Sequence, residues 1–215
     1  MIKWKGLNEM EIKGIDVSAW QGNIDWVKVA QSGVKFAILK AGGSDCGFYT
    51  DKKFKANVVG AQNAGIDIGA YYFVGKRCKS AEAGLADAIR FENIIKPYKF
   101  TYPVYIDFEA PDRTNKQGNT DAVNTFCLYM QNLGYYVGIY ASDISGFKER
   151  LNFPDTVHYD KWVARYGSKP TYAKPYGIWQ YSSKGSVPGI KGRCDMDISY
   201  NDYPSIIKAH HLNGF

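Results

Sequence analysis

Two acidic residues, Asp107 and Glu109, lie two positions apart in the segment PVYIDFEA (103–110). Alternate residues of a β-strand point to the same side, with Cα atoms about 6.6 Å apart, so the two carboxyl groups are expected to share a pocket. The apolar residues before them indicate a buried strand, and burial beside a like charge raises the pKa of at least one carboxyl group. Such a group can donate a proton to a poor leaving group, for example a glycosidic oxygen. A solvated strand end or a salt-bridged pair is the alternative interpretation.

Further carboxyl groups stand near other candidate strand ends, at Asp16, Asp195 and Asp197. A cluster of acidic residues is costly without a function, so Asp16 and Asp195 strengthen the catalytic interpretation. Asp197 either supports Asp195 or faces away from it. A Mg²⁺ or Ca²⁺ site is the other use for such a cluster. Zinc is disfavoured because the chain has only 3 histidines, and we predict neither a metal nor a cofactor.

Polar and aromatic side chains at the same expected strand ends are candidate substrate contacts, because they combine flat apolar faces with hydrogen-bonding edges. The candidates are Tyr72, Tyr140, Arg165, Trp179, Gln180, Tyr181 and Asp197. For Trp179 and Tyr181, a place in the core is an equally open interpretation. For Tyr71 and Phe73, the core is the favoured one.

The segments that must position these residues alternate between strand-like and helix-like composition. The strand-like segments are 15–17, 35–40, 67–74, 103–108, 135–140, 161–166 and 177–181, and the helix-like segments are 24–32, 50–64, 80–96 and 120–133. This alternation predicts a parallel sheet with helices outside, closed into a single irregular α/β barrel of the TIM type. Helices shorten or vanish after residue 140. Active sites of such barrels lie at the carboxyl ends of the strands, where the candidate residues are expected to meet.

Length and composition favour one globular domain. The chain has 215 residues, of which 45% are hydrophobic and 22% charged, and these values exclude disordered and coiled-coil proteins. No apolar run is long enough to span a bilayer. We expect an N-terminal extension over 1–13, a catalytic barrel over 14–206 and a short C-terminal tail over 207–215.

The net charge of +6 favours polyanionic partners such as nucleic acid, anionic lipid or an anionic cell wall. The basic residues are scattered, so nucleic-acid binding is not expected. The chain also lacks a P-loop, a GxGxxG segment and a GxSxG nucleophile turn. Its four cysteines form no CxxC motif, which argues against a zinc or redox site.

Seven blocks of the sequence, in order and spanning nearly the whole chain, together resemble glycoside hydrolase family 25, the Chalaropsis-type lysozymes of bacteria and phage endolysins. Single blocks are weak signals, whereas the ordered set is specific. The blocks are GIDVSAWQGNIDW (14–26), FAILKAGG (36–43), IGAYYF (68–73), PVYIDFEA (103–110), GIYAS (138–142), WVARYG (162–167) and GIWQYSSKGSVPGIKGRCDMDIS (177–199).

The resemblance implies a barrel enzyme that hydrolyses the β-1,4 bond between N-acetylmuramic acid and N-acetylglucosamine in bacterial peptidoglycan. It implies that Glu109 is the proton donor. Asp107 is expected either to assist the 2-acetamido group of the substrate or to stabilise positive charge at the anomeric carbon. Asp16 and Asp195 are expected to orient the sugar or tune the other carboxyl groups.

The chain departs from the family pattern at Tyr72, Cys194 and Asp197, where His or another aromatic residue, Val and Asn are more usual. These departures leave the acid pair intact. We expect peptidoglycan as the partner, no nucleic acid, no membrane insertion and a monomer. The first residues lack the apolar core of a signal peptide, so we expect synthesis in the cytoplasm and action on the wall after release.

Two other functions stay open at this point. A chitinase-like hydrolase also uses a DxE strand, but its fuller DxxDxDxE motif needs aspartates where this chain has Tyr102 and Tyr105. A non-catalytic peptidoglycan-binding barrel would usually have a broken acid pair, and here both acids are present.

Overall fold

The computed structural model describes residues 10–215, which contain nine β-strands and five α-helices. The strands are β1 (Ile12–Val17), β2 (Phe36–Gly43), β3 (Tyr49–Thr50), β4 (Asp67–Phe73), β5 (Val104–Asp107), β6 (Val137–Ser142), β7 (Asp160–Ala164), β8 (Ile178–Gly185) and β9 (Cys194–Ser199). The helices are α1 (Trp26–Gln31), α2 (Phe54–Asn63), α3 (Ala81–Ile95), α4 (Lys116–Asn132) and α5 (Tyr203–Ala209).

The sheet closes on itself, because β1 pairs with β2 on one side and with β9 on the other. The order around the barrel is β1, β9, β8, β7, β6, β5, β4 and β2. All neighbouring pairs are parallel except those of β9, which runs antiparallel to β1 and β8. The short β3 adds to the edge of β2. The predicted α/β barrel is therefore confirmed.

Helices form the outer layer of the barrel, and capping residues and apolar stripes in the sequence explain where they begin and which side they bury. Ser80 caps α3 by accepting from the backbone N–H of Ala83, as expected for a serine before a helix. On α4, Val123, Phe126 and Met130 are fully buried, so an apolar stripe of this helix faces the barrel. Beyond β6 the outer layer is reduced to short π-helical and 3-10 segments, which confirms the predicted loss of helices.

The barrel interior is filled at its lower end by aromatic side chains. Tyr203 of α5 packs on Tyr102, with ring centroids 5.2 Å apart. Its hydroxyl and that of Tyr105 donate to the half-buried carboxylate of Asp160. A helix and an ordered polar network thus close the bottom of the barrel.

The structure differs from the expected boundaries at both ends. Strand β1 begins at Ile12, inside the expected N-terminal extension, and residues 1–9 of that extension lie outside the described residues. The expected C-terminal tail packs against the barrel, since Ile207 and Asn213 are fully buried. Asn213 donates to the carbonyl oxygens of Phe100 and Tyr102. Its amide therefore stabilises the chain before β5.

Strand β9 was not among the strand-like segments predicted from the sequence, although Asp195 and Asp197 were expected near a strand end. Its residues, CDMDIS, alternate with two carboxyl groups on one face, so they lack the apolar pattern that indicates a strand. Within residues 10–215, no helix is long and apolar enough to cross a lipid bilayer.

Candidate active site

A cleft of about 360 Å³ opens at the carboxyl ends of the barrel strands. Five carboxyl groups line it, together with one lysine, Lys40. The acidic residues are Asp16, Asp45, Asp107, Glu109 and Asp195, and the aromatic lining comprises Trp20, Tyr71, Phe73, Tyr140 and Trp162. An acidic cleft in a chain with a net charge of +6 means that the excess positive charge lies elsewhere on the molecule.

Asp107 is the last residue of β5 and is only 5% exposed. Burial raises the pKa of its carboxyl group well above the usual value, and the charge of Glu109 raises it further, whereas Lys40 opposes both effects. One oxygen, Oδ1, has no hydrogen-bond partner among the described residues. A buried oxygen of this kind is costly as an unpaired anion and can face an incoming substrate.

Glu109 follows two residues later, in the loop after β5, and its side chain remains accessible to water. Partial burial of the carboxyl group raises its pKa, and the charge of Asp195 adds to this effect. Arg150 and Lys40 lower it. Because water reaches Glu109, screening makes the upward shift weaker than at Asp107. Glu109 therefore combines access to a ligand with a raised pKa, as a general acid requires.

Asp16 of β1 and Asp195 of β9 face each other as direct partners in an antiparallel strand pair. Burial, followed by the charges of Asp197 and Asp195, raises the pKa of Asp16. Burial also raises the pKa of Asp195. The barrel therefore gathers carboxyl groups from β1, β5 and β9 in one cleft, as the sequence analysis predicts for the strand ends.

Gln180 of β8 and Tyr140 of β6 also line the cleft, as expected from the sequence. The hydroxyl groups of Tyr140 and Tyr166 both donate to Oε1 of Gln180, at 2.9 and 3.1 Å. The amide group of Gln180 then donates to Asp16 at 2.8 Å. This network fixes both Gln180 and Asp16 relative to the barrel wall.

The structure does not bring Tyr72 to the cleft, contrary to the sequence-based expectation. Its side chain is fully buried on the outer face of β4, packs against Phe91 and donates to the carbonyl oxygen of Gly43 at 3.1 Å. Its neighbours Tyr71 and Phe73 line the cleft instead. Side chains alternate between the two faces of a strand. Tyr71 and Phe73 therefore face the cleft when Tyr72 faces outward, and the expectation for all three residues is reversed.

Four other candidate contacts also lie away from the cleft lining. Arg165 donates to Asp143 at 2.7 Å. Trp179 donates to the carbonyl oxygen of Arg165 at 2.8 Å and packs on Tyr181, with ring centroids 5.7 Å apart. Asp197 is fully buried beneath the cleft. These side chains hold the walls together, and none of them is among the residues that line the cleft.

The residues that line the cleft but were not identified from the sequence include Trp20, Lys40 and Asp45. Trp20 is 90% exposed, on a 3-10 turn that Ser18 caps directly after β1. Lys40 interrupts the apolar strand FAILKAGG, and its amino group lies 4.5 Å from the ring centroid of Phe73. A lone lysine in an otherwise apolar strand could have indicated that Lys40 belongs to the site. The position of Asp45 depends on a loop whose sequence has no comparable pattern.

Carboxyl groups with raised pKa values, in a cleft at this end of a barrel, are typical of a glycoside hydrolase. Comparison with known proteins agrees with this class. The family model described as glycosyl hydrolases family 25 matches residues 15–190. The chain belongs to that family.

Individual relatives give the same assignment. The chain is 34% identical to an autolytic lysozyme of Clostridium acetobutylicum over 86% of its own length, and it spans 55% of that relative. It is 31% identical to lysozyme M1 of Streptomyces globisporus, with 86% of this chain and 67% of the relative covered. The crystal structure of the CTP1L endolysin superposes with a TM-score of 0.80 at 27% identity, covering 92% of this chain and 70% of that one.

Proposed function

We propose that this chain is a muramidase that hydrolyses the β-1,4 bond between N-acetylmuramic acid and N-acetylglucosamine in bacterial peptidoglycan, with Glu109 as the proton donor. One observation carries the proposal: Glu109 and Asp107 open into the same cleft, and both have raised pKa values. The relatives named lysozymes supply the substrate class, since the cleft alone does not specify a sugar.

Glu109 has the properties of the donor. Its raised pKa keeps the carboxyl group protonated to a higher pH than an ordinary glutamate, and its accessible position allows contact with a glycosidic oxygen. Protonation transfers positive charge to the leaving group, the C–O bond breaks, and the anomeric carbon gains positive charge. The proton returns to Glu109 from the water that completes hydrolysis.

Asp107 is suited to the developing positive charge. The negative charge of Glu109 is one cause of its raised pKa, so protonation of Glu109 favours ionisation of Asp107. The active protonation state is therefore the one in which Glu109 holds the proton and Asp107 is the anion. The anion either orients the 2-acetamido group of the substrate or stabilises the anomeric carbon directly.

The remaining cleft residues would bind and orient the sugars. Asp16, Asp195 and Gln180 offer hydrogen-bonding groups, while Trp20 and Tyr71 offer aromatic faces to pyranose rings. The site of action would be the bacterial cell wall. Positive charge outside the cleft would attract anionic wall polymers, so we expect the rate of wall lysis to fall as added salt screens this attraction.

The proposal is tested by digesting purified Gram-positive peptidoglycan, reducing the products with borohydride and identifying the reduced sugar by mass spectrometry. We expect reduced muramic acid from the wild type and at least about a 10²-fold lower yield from Glu109→Gln. Glu82→Gln is the matched control, because Glu82 is exposed on the first turn of α3, outside the cleft. Reduced glucosamine, or no product from the wild type, would overturn the proposal.

A further inference from the structure

Asp197 lies directly beneath Asp16 in the barrel wall and is completely buried. In the antiparallel pair of β1 and β9, Asp16 is opposite Asp195, so Asp197 is its diagonal neighbour on the same face. The two carboxyl groups lie within hydrogen-bonding reach of each other. Two buried acceptors in contact require a proton between them, because carboxylate groups have no donor of their own.

The donors around Asp16 are already determined by the hydrogen-bond network. Tyr140 and Tyr166 both donate to Oε1 of Gln180. The amide nitrogen of Gln180 faces Asp16 and donates to Oδ2 at 2.8 Å. Asp16 consequently accepts one hydrogen bond from Gln180, and its other interaction is with Asp197.

The donors around Asp197 are equally limited. The indole N–H of Trp162, which can only donate, is bonded to Oδ1 at 2.8 Å. The other oxygen, Oδ2, has no N–H or O–H partner in the described part of the chain. A fully buried carboxylate oxygen without a donor carries a large desolvation cost, which a proton held between Asp197 and Asp16 would remove.

We propose that Asp16 and Asp197 share one proton, and that Asp197 is a positioning residue that holds Asp16 at the cleft. The pair then carries one negative charge instead of two beside Asp195. This reduces repulsion between neighbouring strand ends and keeps Asp16 directed towards the sugar site. The shared proton is independent of the proposed function, whereas the effect on turnover rests on it.

The surroundings agree with one retained proton. Burial is the main reason why the pKa of Asp197 is raised to about 8, and the pKa of Asp16 is raised as well. The other titratable groups facing the pair are Asp195, Cys194, Tyr71, Tyr140, Tyr166 and Tyr181. Burial raises the pKa values of the thiol and the phenols, so they stay neutral near pH 7 and Asp195 supplies the neighbouring charge.

The first test measures unfolding by denaturant between pH 4 and pH 8 for the wild type and Asp197→Asn. Asparagine can still accept from Trp162 and can donate to Asp16 without a titratable proton. A proton held only in the folded state makes the wild type less stable as pH rises, by up to tenfold in the unfolding equilibrium constant per pH unit. We therefore expect Asp197→Asn to gain stability over the wild type as pH rises.

Asp155→Asn is the control, because Asp155 is exposed outside the cleft and should give a difference that hardly changes with pH. A pH-independent difference for Asp197→Asn as well would overturn the shared proton. The second measurement is the titration of ¹³C-labelled aspartate carboxyl carbons in the wild type and in Asp197→Asn. A proton that is retained above pH 6 in the wild type and lost in Asp197→Asn supports the proposal, because the raised pKa of Asp107 remains in both. Identical titration of the remaining aspartates in the two proteins contradicts it.

The positioning role is tested by kinetics on peptidoglycan. Asp197→Leu is similar in size but offers Asp16 no hydrogen bond, and we expect it to lower kcat about 10²-fold with little change in KM. Asp197→Asn should recover most of that loss. Equal kcat values for the folded leucine variant and the wild type would refute the positioning role. An inactive wild type would refute the muramidase proposal, while the unfolding and carboxyl titrations would still decide the shared proton.

Discussion

Gln180 on β8 donates its side-chain amide to Asp16 on β1 across 2.8 Å, and β9 lies between these two strands. The contact spans the antiparallel seam where the barrel closes. Tyr140 on β6 orients the same amide from the opposite side. Ligand-facing groups from three separate strands are therefore fixed by one glutamine before any substrate arrives, which is the preorganisation that acid catalysis requires.

Replacement of Gln180 by leucine should impair both stability and activity. The variant leaves Asp16 and the hydroxyl groups of Tyr140 and Tyr166 without their shared partner. Asp16 and Tyr140 are buried, and each costs about 1–3 kcal/mol when it is left unpaired. We expect denaturant unfolding to show a loss of at least about 2 kcal/mol and wall lysis to fall about 10²-fold. Gln117→Leu, on exposed α4 surface, is the matched control. Full activity of a folded Gln180→Leu variant would contradict the orienting role.

Asp107→Asn should stabilise the protein and inactivate it. The raised pKa of Asp107 means that the folded state binds its proton more tightly than the unfolded state. The wild type therefore loses stability as pH rises from about 4 towards the folded-state pKa. Asparagine has no such proton, so the stability of the variant relative to the wild type should increase over this range. Unfolding curves at pH 4 and pH 7 check the sign, and a smaller gain at pH 7 would contradict it.

Lys40→Met should move the alkaline limb of the activity profile to higher pH. The lysine charge lowers the pKa values of both Glu109 and Asp107, so its removal raises them and keeps the donor protonated further into the alkaline range. Lys35→Met is the control, because Lys35 is exposed at the opposite end of β2. Profiles of kcat/KM against pH measure the shift, and an alkaline limb that moves down would exclude Glu109 and Lys40 as an interacting pair.

The two tyrosines of β4 should respond to mutation in opposite ways. Tyr72→Phe removes a buried hydrogen bond to Gly43, so we expect a loss of about 1 kcal/mol in unfolding free energy and nearly unchanged kinetics. Tyr71→Leu removes an aromatic wall of the cleft and should mainly impair kcat/KM. Larger kinetic damage from Tyr72→Phe than from Tyr71→Leu would restore the sequence-based assignment.

This tyrosine pair marks the limit of what the sequence can predict. Ordered blocks and strand–helix alternation were sufficient for the barrel and for the positions of Asp16, Asp107, Glu109 and Asp195 at one end of it. The face of each strand was less certain, because a buried parallel strand is apolar on both sides and carries no alternation. Tyr72 was therefore assigned to the cleft although the structure places Tyr71 there.

Strand β9 was not among the predicted strands for a related reason. Its inward face carries carboxyl groups that serve the cleft, and this replaces the apolar pattern that would identify a strand. The proposed role of Asp197 also depends on tertiary contacts, since only the folded chain brings Trp162 and Asp16 next to its carboxyl group. At these positions, residues that serve the site replace the apolar residues by which a strand is predicted.

The last prediction concerns Trp20, which lies at the rim of the cleft and has a side chain that is 90% exposed. A tryptophan so exposed contributes little to folding, but it can stack on a sugar ring and become buried when a glycan binds. We expect Trp20→Ala to leave unfolding unchanged within about 0.5 kcal/mol and to raise KM for soluble glycan fragments several-fold. Phe48→Ala, which removes an exposed aromatic ring from outside the cleft, should change neither quantity. If both variants behave alike, the rim of the cleft does not contact the glycan at Trp20, and the sugars must then bind against Tyr71 and Tyr140 on its inner wall.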